Sequence, residues 1–185
     1  AGFVFRKHPR APWTMPRYLS TVTYQQLALH KREPLIRMTT FQHTSLIAAP
    51  PETVWRFHER PDILNLLTPP WQPVEAVSRQ GGLGPGAFSE FRLWLGPVPI
   101  TWLARHTDEY EPNRLFTDIQ EKGPLDAWTH RHRFEPEGNQ TRLTDDITFT
   151  LPIEWASEPI IGGFVLQRLS DMFAYRHRVT QEACG

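Results

Sequence analysis

The sequence contains one cysteine, Cys184, beside the end of its 185 residues. A lone thiol closes no internal disulfide and builds no Cys-based zinc site, so a disulfide scaffold and a zinc finger are both excluded. Charge of one sign is also lacking, because 20 Lys and Arg stand against 20 Asp and Glu. Hence no overall field draws the chain to nucleic acid or to an anionic membrane. No run of roughly 18 apolar residues occurs, which argues against a spanning helix. The first residues lack the charged, apolar, small-residue progression of a secretory signal. Together these absences set the expectation of a cytoplasmic protein, with neither nucleic acid nor a membrane span among its partners.

Aromatics are plentiful: 12% of the residues, with seven Trp. Such a supply suits a large core or a lined pocket. The length allows one domain with an arm but hardly two domains. Residues 1–36 form that arm, with six basic side chains (Arg6, Lys7, Arg10, Arg17, Lys31, Arg32), one acidic (Glu33) and Pro9, Pro12, Pro16 and Pro34. Residues 37–185 form the domain and carry the opposite charge balance. The arm could be a solvated tail, or lie on its own body or on a second copy, giving self-association. Within it, Leu19 to His30 reads as a short helix with Ser20 as its cap.

The body opens on a strand from Arg37 to Ala49 whose Phe41, His43, Ser45 and Ile47 share one face. Pro50 and Pro51 end it and start a helix, with Glu52 at the positive end and Val54, Trp55 and Phe57 facing the sheet. Pro61 to Leu67 reads as a second short helix, stopped by Pro69 and Pro70. From Trp71 to Leu151 short β-rich runs alternate with turn residues, predicting strands at 74–78, 87–95, 98–110, 114–122, 127–135 and 140–151. After Pro152 the period changes. Ile161, Val165, Leu169, Met172, Phe173, Arg176 and Val179 recur at helical spacing from Pro159 onward. The fold class is therefore α+β: a seven-stranded curved antiparallel sheet around a long C-terminal helix, with two short helices after the first strand.

This order, together with Ile47-Ala-Ala-Pro-Pro-Glu-Thr-Val-Trp-Arg-Phe57, Phe116-Thr-Asp-Ile-Gln120 and Gly123-Pro-Leu-Asp-Ala-Trp-Thr-His-Arg-His-Arg-Phe134, resembles the helix-grip fold of the START/SRPBCC superfamily. The similarity is to a bacterial, polyketide cyclase-like branch of uncharacterised function and runs from about Arg37 to Arg178. It implies a pocket between sheet and final helix for a lipid or another hydrophobic small molecule. No catalytic set is shared across that superfamily, so none is carried over.

A turn at Gly123-Pro124 pairs two strands so that Asp118 lies opposite His130 and Phe116 opposite His132. Period two then places Trp128, His130, His132 and Phe134 on one face with Phe116, Asp118 and Gln120. Trp102, Ala104 and His106 flank them on one side and Leu143, Asp145, Ile147 and Phe149 on the other. A slip of one residue would exchange Asp145 for Asp146. Polar groups on so aromatic a face need partners, since isolated charges there cost several kcal/mol, on the order of the transfer penalty for a buried ion.

Four readings are open. The network could satisfy itself and fix strand register. It could orient a ligand, with Trp102, Phe116, Gln120, Trp128, His130, His132, Leu169, Phe173 and Arg176 as the binding set. Asp118 and His130 could act as an acid–base pair in a cyclase or dehydratase. Finally, His130 and His132 could bind a metal, although His-x-His supplies two ligands only, so no metal is assigned. Arg176 would anchor a ligand carboxylate or, more simply, pair with Asp145 or another core acid. The remaining histidines, including His43, His58, His106 and His177, show no metal spacing. Trp55, Trp94, Trp102 and Trp128 read as core, and Trp71 and Trp155 as lining the mouth. Gly81 to Gly86 lacks the Lys-Ser/Thr of a phosphate loop and precedes a strand, and no Gly-x-Ser-x-Gly elbow occurs, so no cofactor is expected. The reading that results is a binding or transport protein for a hydrophobic small molecule, with the cyclase or dehydratase as alternative.

Overall fold

A computed structural model describes residues 19–24, 38–95, 97–152 and 159–185. Eight strands form one antiparallel sheet: β1 (Leu19–Tyr24), β2 (Met38–Ile47), β3 (Val74–Gln80), β4 (Phe88–Leu95), β5 (Val98–Glu111), β6 (Leu115–Lys122), β7 (Ala127–Glu137) and β8 (Gln140–Thr150). Their spatial order is β1-β2-β8-β7-β6-β5-β4-β3. From β3 to β8 each strand pairs with its successor, as short turns require. The turn before β6 holds Asn113 at φ 61°, a left-handed position that asparagine tolerates. At the other end of the sheet Gly81, at φ 86°, leaves no room for a Cβ, which would meet Ala87 Cα at 2.8 Å.

Between β2 and β3 the chain crosses the sheet through α1 (Pro51–His58) and α2 (Ile63–Leu66). Pro51 sits in the first turn of α1, where its missing N–H costs nothing, and Glu52 lies beside it. Val54, Trp55, Phe57 and His58 are buried. The last element, α3 (Pro159–Cys184), packs against β2 and α1. Its buried stripe is Leu169, Phe173, His177 and Thr180, residues four, four and three apart, as a helix face requires. Near its end Gln181 Oε1 accepts a hydrogen bond from Ala48 N at 3.1 Å.

Two expectations are corrected. Leu19–Tyr24 is a strand, not a helix, and makes the sheet eight-stranded; residues 25–30 lie outside the described residues. It pairs antiparallel with the edge of β2, Val22 opposite Phe41, and Thr21, Val22 and Thr23 are β-branched residues suited to that edge. Trp94 is 39% exposed rather than core, because alternation from the inward Phe91 turns it to the convex face. Trp71 is 48% exposed, edge-on to Tyr175 of α3; Trp155 lies outside the described residues.

The core has two apolar clusters. One gathers Ile47, Val54, Trp55, Phe116, Phe134 and Leu143 under α1. The other gathers Phe41, Ile147, Phe149, Leu151, Leu169 and Phe173 under α3. β2 and β8 contribute to both, with a polar residue between the two contributions, His43 between Phe41 and Ile47 and Asp145 between Leu143 and Ile147; on β7, His132 and His130 lie between Phe134 of the first cluster and Trp128, which packs against the second. A polar seam thus crosses the concave face. Among the described residues no helix is long and apolar enough to cross a membrane.

Candidate functional site

The seam follows from pairing register. Asp145 of β8 stands opposite both His43 of β2 and His132 of β7. One step along, Asp118 of β6 stands opposite both His130 of β7 and His106 of β5. Of these, Asp118 opposite His130 is the pair the Gly123-Pro124 turn predicts, and Phe116 stands opposite His132 as it also requires. Asp145, not Asp146, faces inward: Asp145 is 4% exposed, whereas Asp146 on the convex face bonds Gln42 and Arg133.

Asp145 gathers three imidazoles. His130 Nε2 donates to its Oδ1 at 2.8 Å, His132 Nδ1 lies 2.8 Å from the same oxygen, and His177 Nε2 donates to Oδ2 at 2.6 Å. Asp118 Oδ2 faces the opposite sides of two of those rings, 3.3 Å from His132 Nε2 and 3.7 Å from His130 Nδ1. The rings of His130 and His132 have centroids 3.7 Å apart. His43 meets His177 edge-on with centroids 4.5 Å apart. Phe173 stands edge-on to His130, and Phe116 stacks on His132, so the seam is walled by aromatic rings.

The electrostatics follow from this burial. Desolvation pushes the Asp145 carboxyl up, but the His132 charge and the bonds from His130, His132 and His177 outweigh it and hold the group well below the usual range. Asp118 is likewise raised by burial and brought below its ordinary value by His132, His130 and His106. His132 collects the proton: burial opposes its charge, yet Asp145 and Asp118 raise it to about 9. His130, buried and beside that charge, is lowered despite Asp145 and Asp118. Burial and His177 lower His43 to about 4, and burial, aided by His132 and His177, carries His58 to about 4 against the pull of its bond to Val54 O and of Asp145.

The nine residues named as a binding set divide. His130 and His132 join Asp118 and Asp145 in the seam. Phe116, Leu169 and Phe173 are core residues, 4%, 6% and 1% exposed. Gln120 folds back on the turn, its Nε2 donating to Leu125 O at 2.7 Å. Arg176 does not pair with Asp145 as expected: its Nε donates to Leu67 O at 3.3 Å and its guanidinium lies over Phe173, tying the end of α2 to α3. Trp102 and Trp128 meet edge-on at 5.3 Å and remain half-buried. Two seam residues were not joined to the network from the sequence, His43 and His177. Both carried a signal: His43 lies between Phe41 and Ile47 on one strand face, and His177 lies four residues after Phe173 on the helix.

The concave face is unevenly covered. Toward β4 and β5, Phe91, Leu93, Ile100 and Trp102 are half-buried; so are Val165 and Leu166 of α3, which pack beside the Phe41–Phe173 cluster, while Phe164 is exposed. Two surface grooves lie elsewhere. One, of ≈ 490 Å³, runs beside α3 between Trp71 and Arg178; the other, of ≈ 690 Å³, lies on the convex face and is lined by Glu109, Arg131, Arg133 and Asp146.

Solved structures share this architecture. A nucleoside-diphosphate sugar epimerase from Corynebacterium glutamicum is 27% identical at a TM-score of 0.57, over 76% of this chain but 28% of that longer one. The Zhui aromatase/cyclase from Streptomyces sp. R1128 is 20% identical at a TM-score of 0.58, over 79% of this chain and 93% of that one. Norcoclaurine synthase from Thalictrum flavum, solved with dopamine and hydroxybenzaldehyde, is 14% identical at a TM-score of 0.57, over 85% of this chain and 95% of that one. No curated protein matches the chain by sequence. The fold is thus the helix-grip fold, and the model for polyketide cyclase / dehydrase and lipid transport matches residues 47–178, so the chain belongs to that family.

Proposed function

We propose that the protein binds an apolar small molecule in the recess between the concave face of the sheet and the first half of α3. The observation that carries this is the row of inward apolar side chains left half-buried there: Phe91, Ile100, Trp102, Trp128, Val165 and Leu166. The inward apolar side chains of β2 and β8, by contrast, are closed off: Phe41, Ile47, Leu143, Ile147 and Phe149 are each 2% exposed or less, so the half-buried row is where apolar surface is left to cover. Covering them removes apolar surface from water at about 25 cal/mol per Å². Phe91 stacks on Trp102, and Trp102 meets Trp128, giving one continuous aromatic wall. The family's description, which includes lipid transport, fits such a wall.

The cyclase or dehydratase alternative asks Asp118 and His130 to exchange protons with a substrate. Both are buried, 8% and 4% exposed, and both are already engaged with other seam residues. That arrangement favours a binding protein over a catalyst. The test is titration of the full chain with the apolar dye 1-anilinonaphthalene-8-sulfonate, followed by its displacement with palmitate. Saturable binding that weakens roughly tenfold or more in Trp102→Ala is expected. Absence of saturable uptake, or an unchanged affinity in that variant, would refute the recess.

A further inference from the structure

We propose that Asp118, His130 and His132 form a binding site for a divalent transition-metal ion such as zinc, with Asp145 as the acceptor that aims both imidazoles. The site is independent of the apolar recess. One ligand atom from each of the three residues falls within 4.8 Å of the others. The separations around Asp118 Oδ2 are 3.3 Å to His132 Nε2 and 3.7 Å to His130 Nδ1. A tetrahedral ion with arms of about 2.0–2.1 Å holds its ligands roughly 3.3–3.4 Å apart. The contacts to Asp145 Oδ1, both 2.8 Å, are too short for that and are ordinary hydrogen bonds.

The two sides of each ring therefore have different tasks. His130 gives its Nε2 proton and His132 its Nδ1 proton to Asp145, which leaves His130 Nδ1 and His132 Nε2 directed at Asp118. A ligating imidazole whose far nitrogen is fixed by a carboxylate is the usual support of a metal site. Neighbouring His and carboxylate ligands of this kind suit zinc or ferrous iron.

Charge points the same way. Asp118 and Asp145 are both buried, and among the described residues no Lys or Arg forms an ion pair with either. Two imidazolium rings with centroids 3.7 Å apart would repel each other. One divalent ion with two neutral rings balances both carboxylates. The side chain of His132, 14% exposed, is the most open of the three and marks the way in. Three protein ligands leave a coordination position for water or a ligand atom.

The experiment is zinc titration of the chelator-stripped full chain by calorimetry, with Asp118→Ala, His132→Ala and, as control, Glu75→Gln on β3. One zinc per chain, weakened about a hundredfold or more in the first two variants and kept in the third, is the expected result. No binding, or binding unaffected by either seam variant, overturns the proposal. Because removing a buried ligand can unfold the chain, the unmutated protein labelled with 15N-histidine supplies a second measurement. Zinc should shift His130 Nδ1 and His132 Nε2 in long-range proton–nitrogen spectra and leave His58 in place; shifts confined to other histidines overturn the site.

Discussion

Adjacent aspartates in β8 show how much a single side chain's direction decides. Asp145 points inward and accepts from three imidazoles; Asp146 points outward, to Gln42 and Arg133. Converting Asp145 to Asn puts an amide N–H₂ against rings that need acceptors. It should cost on the order of 2–4 kcal/mol, since buried donors lose their partner. Asp146→Asn, at a partly exposed ion pair, should cost about 1 kcal/mol or less. Urea denaturation of both variants measures the difference, and equal losses would contradict the assigned roles. Pairing at the Gly123-Pro124 turn made Asp118 opposite His130 legible in the sequence, and through it Asp145. His177 was not, because reading the helix stripe through Arg176 and Val179 shifts the polar position by one residue. Only the packing of α3 shows that the ring, and not the guanidinium, reaches Asp145.

Among the elements, the strands from β3 to β8 were the most legible, because Gly, Pro and Asn at the turns mark their ends to within two residues. α3 was equally plain from its period. β1 was misread for a physical reason: an edge strand is stabilised by its neighbour rather than by its own pattern. That neighbour, β2, begins more than a dozen residues later in sequence. Since β1 sits on β2 of its own chain, deleting residues 1–36 should uncover the backbone groups of Met38–Ile47. Faster amide exchange across β2, unchanged exchange in β7, and increased self-association in sedimentation are expected. If the deletion instead lowers association and leaves β2 protected, the pairing is not what shields that edge.

For the whole molecule, the sequence disclosed which residues face inward but not how completely α3 covers them, since coverage depends on where the helix crosses the sheet. The resulting burial also sets how stability answers to acid. His58, bonded to Val54 O and edge-on to Phe57 and Phe134, is held near 4 by burial, with His132 and His177 lowering it further and Asp145 opposing. His43 is held near 4 as well. In the unfolded chain both return to about 6.5. Their folded pKa values are depressed, so the stability they confer is full above about 6.5 and is lost as pH falls toward 4. Each such ring removes up to about 1.4 kcal/mol per pH unit in that window. His58→Leu should flatten this acid limb in metal-free protein; a limb of unchanged slope would mean that the ring charges without unfolding.

The seam across the concave face also answers a question that greasy-in, polar-out alternation leaves open. Sliding one strand past its neighbour by a single residue turns its oily side to water and is rejected at once, whereas sliding by two preserves inside and outside. In this sheet a two-residue slide would set Ile147 or Leu143 where Asp145 now meets His132, stranding imidazole and carboxylate against hydrocarbon. The row of acids and imidazoles therefore acts as an alignment key, admitting one registration out of those that grease alone would accept.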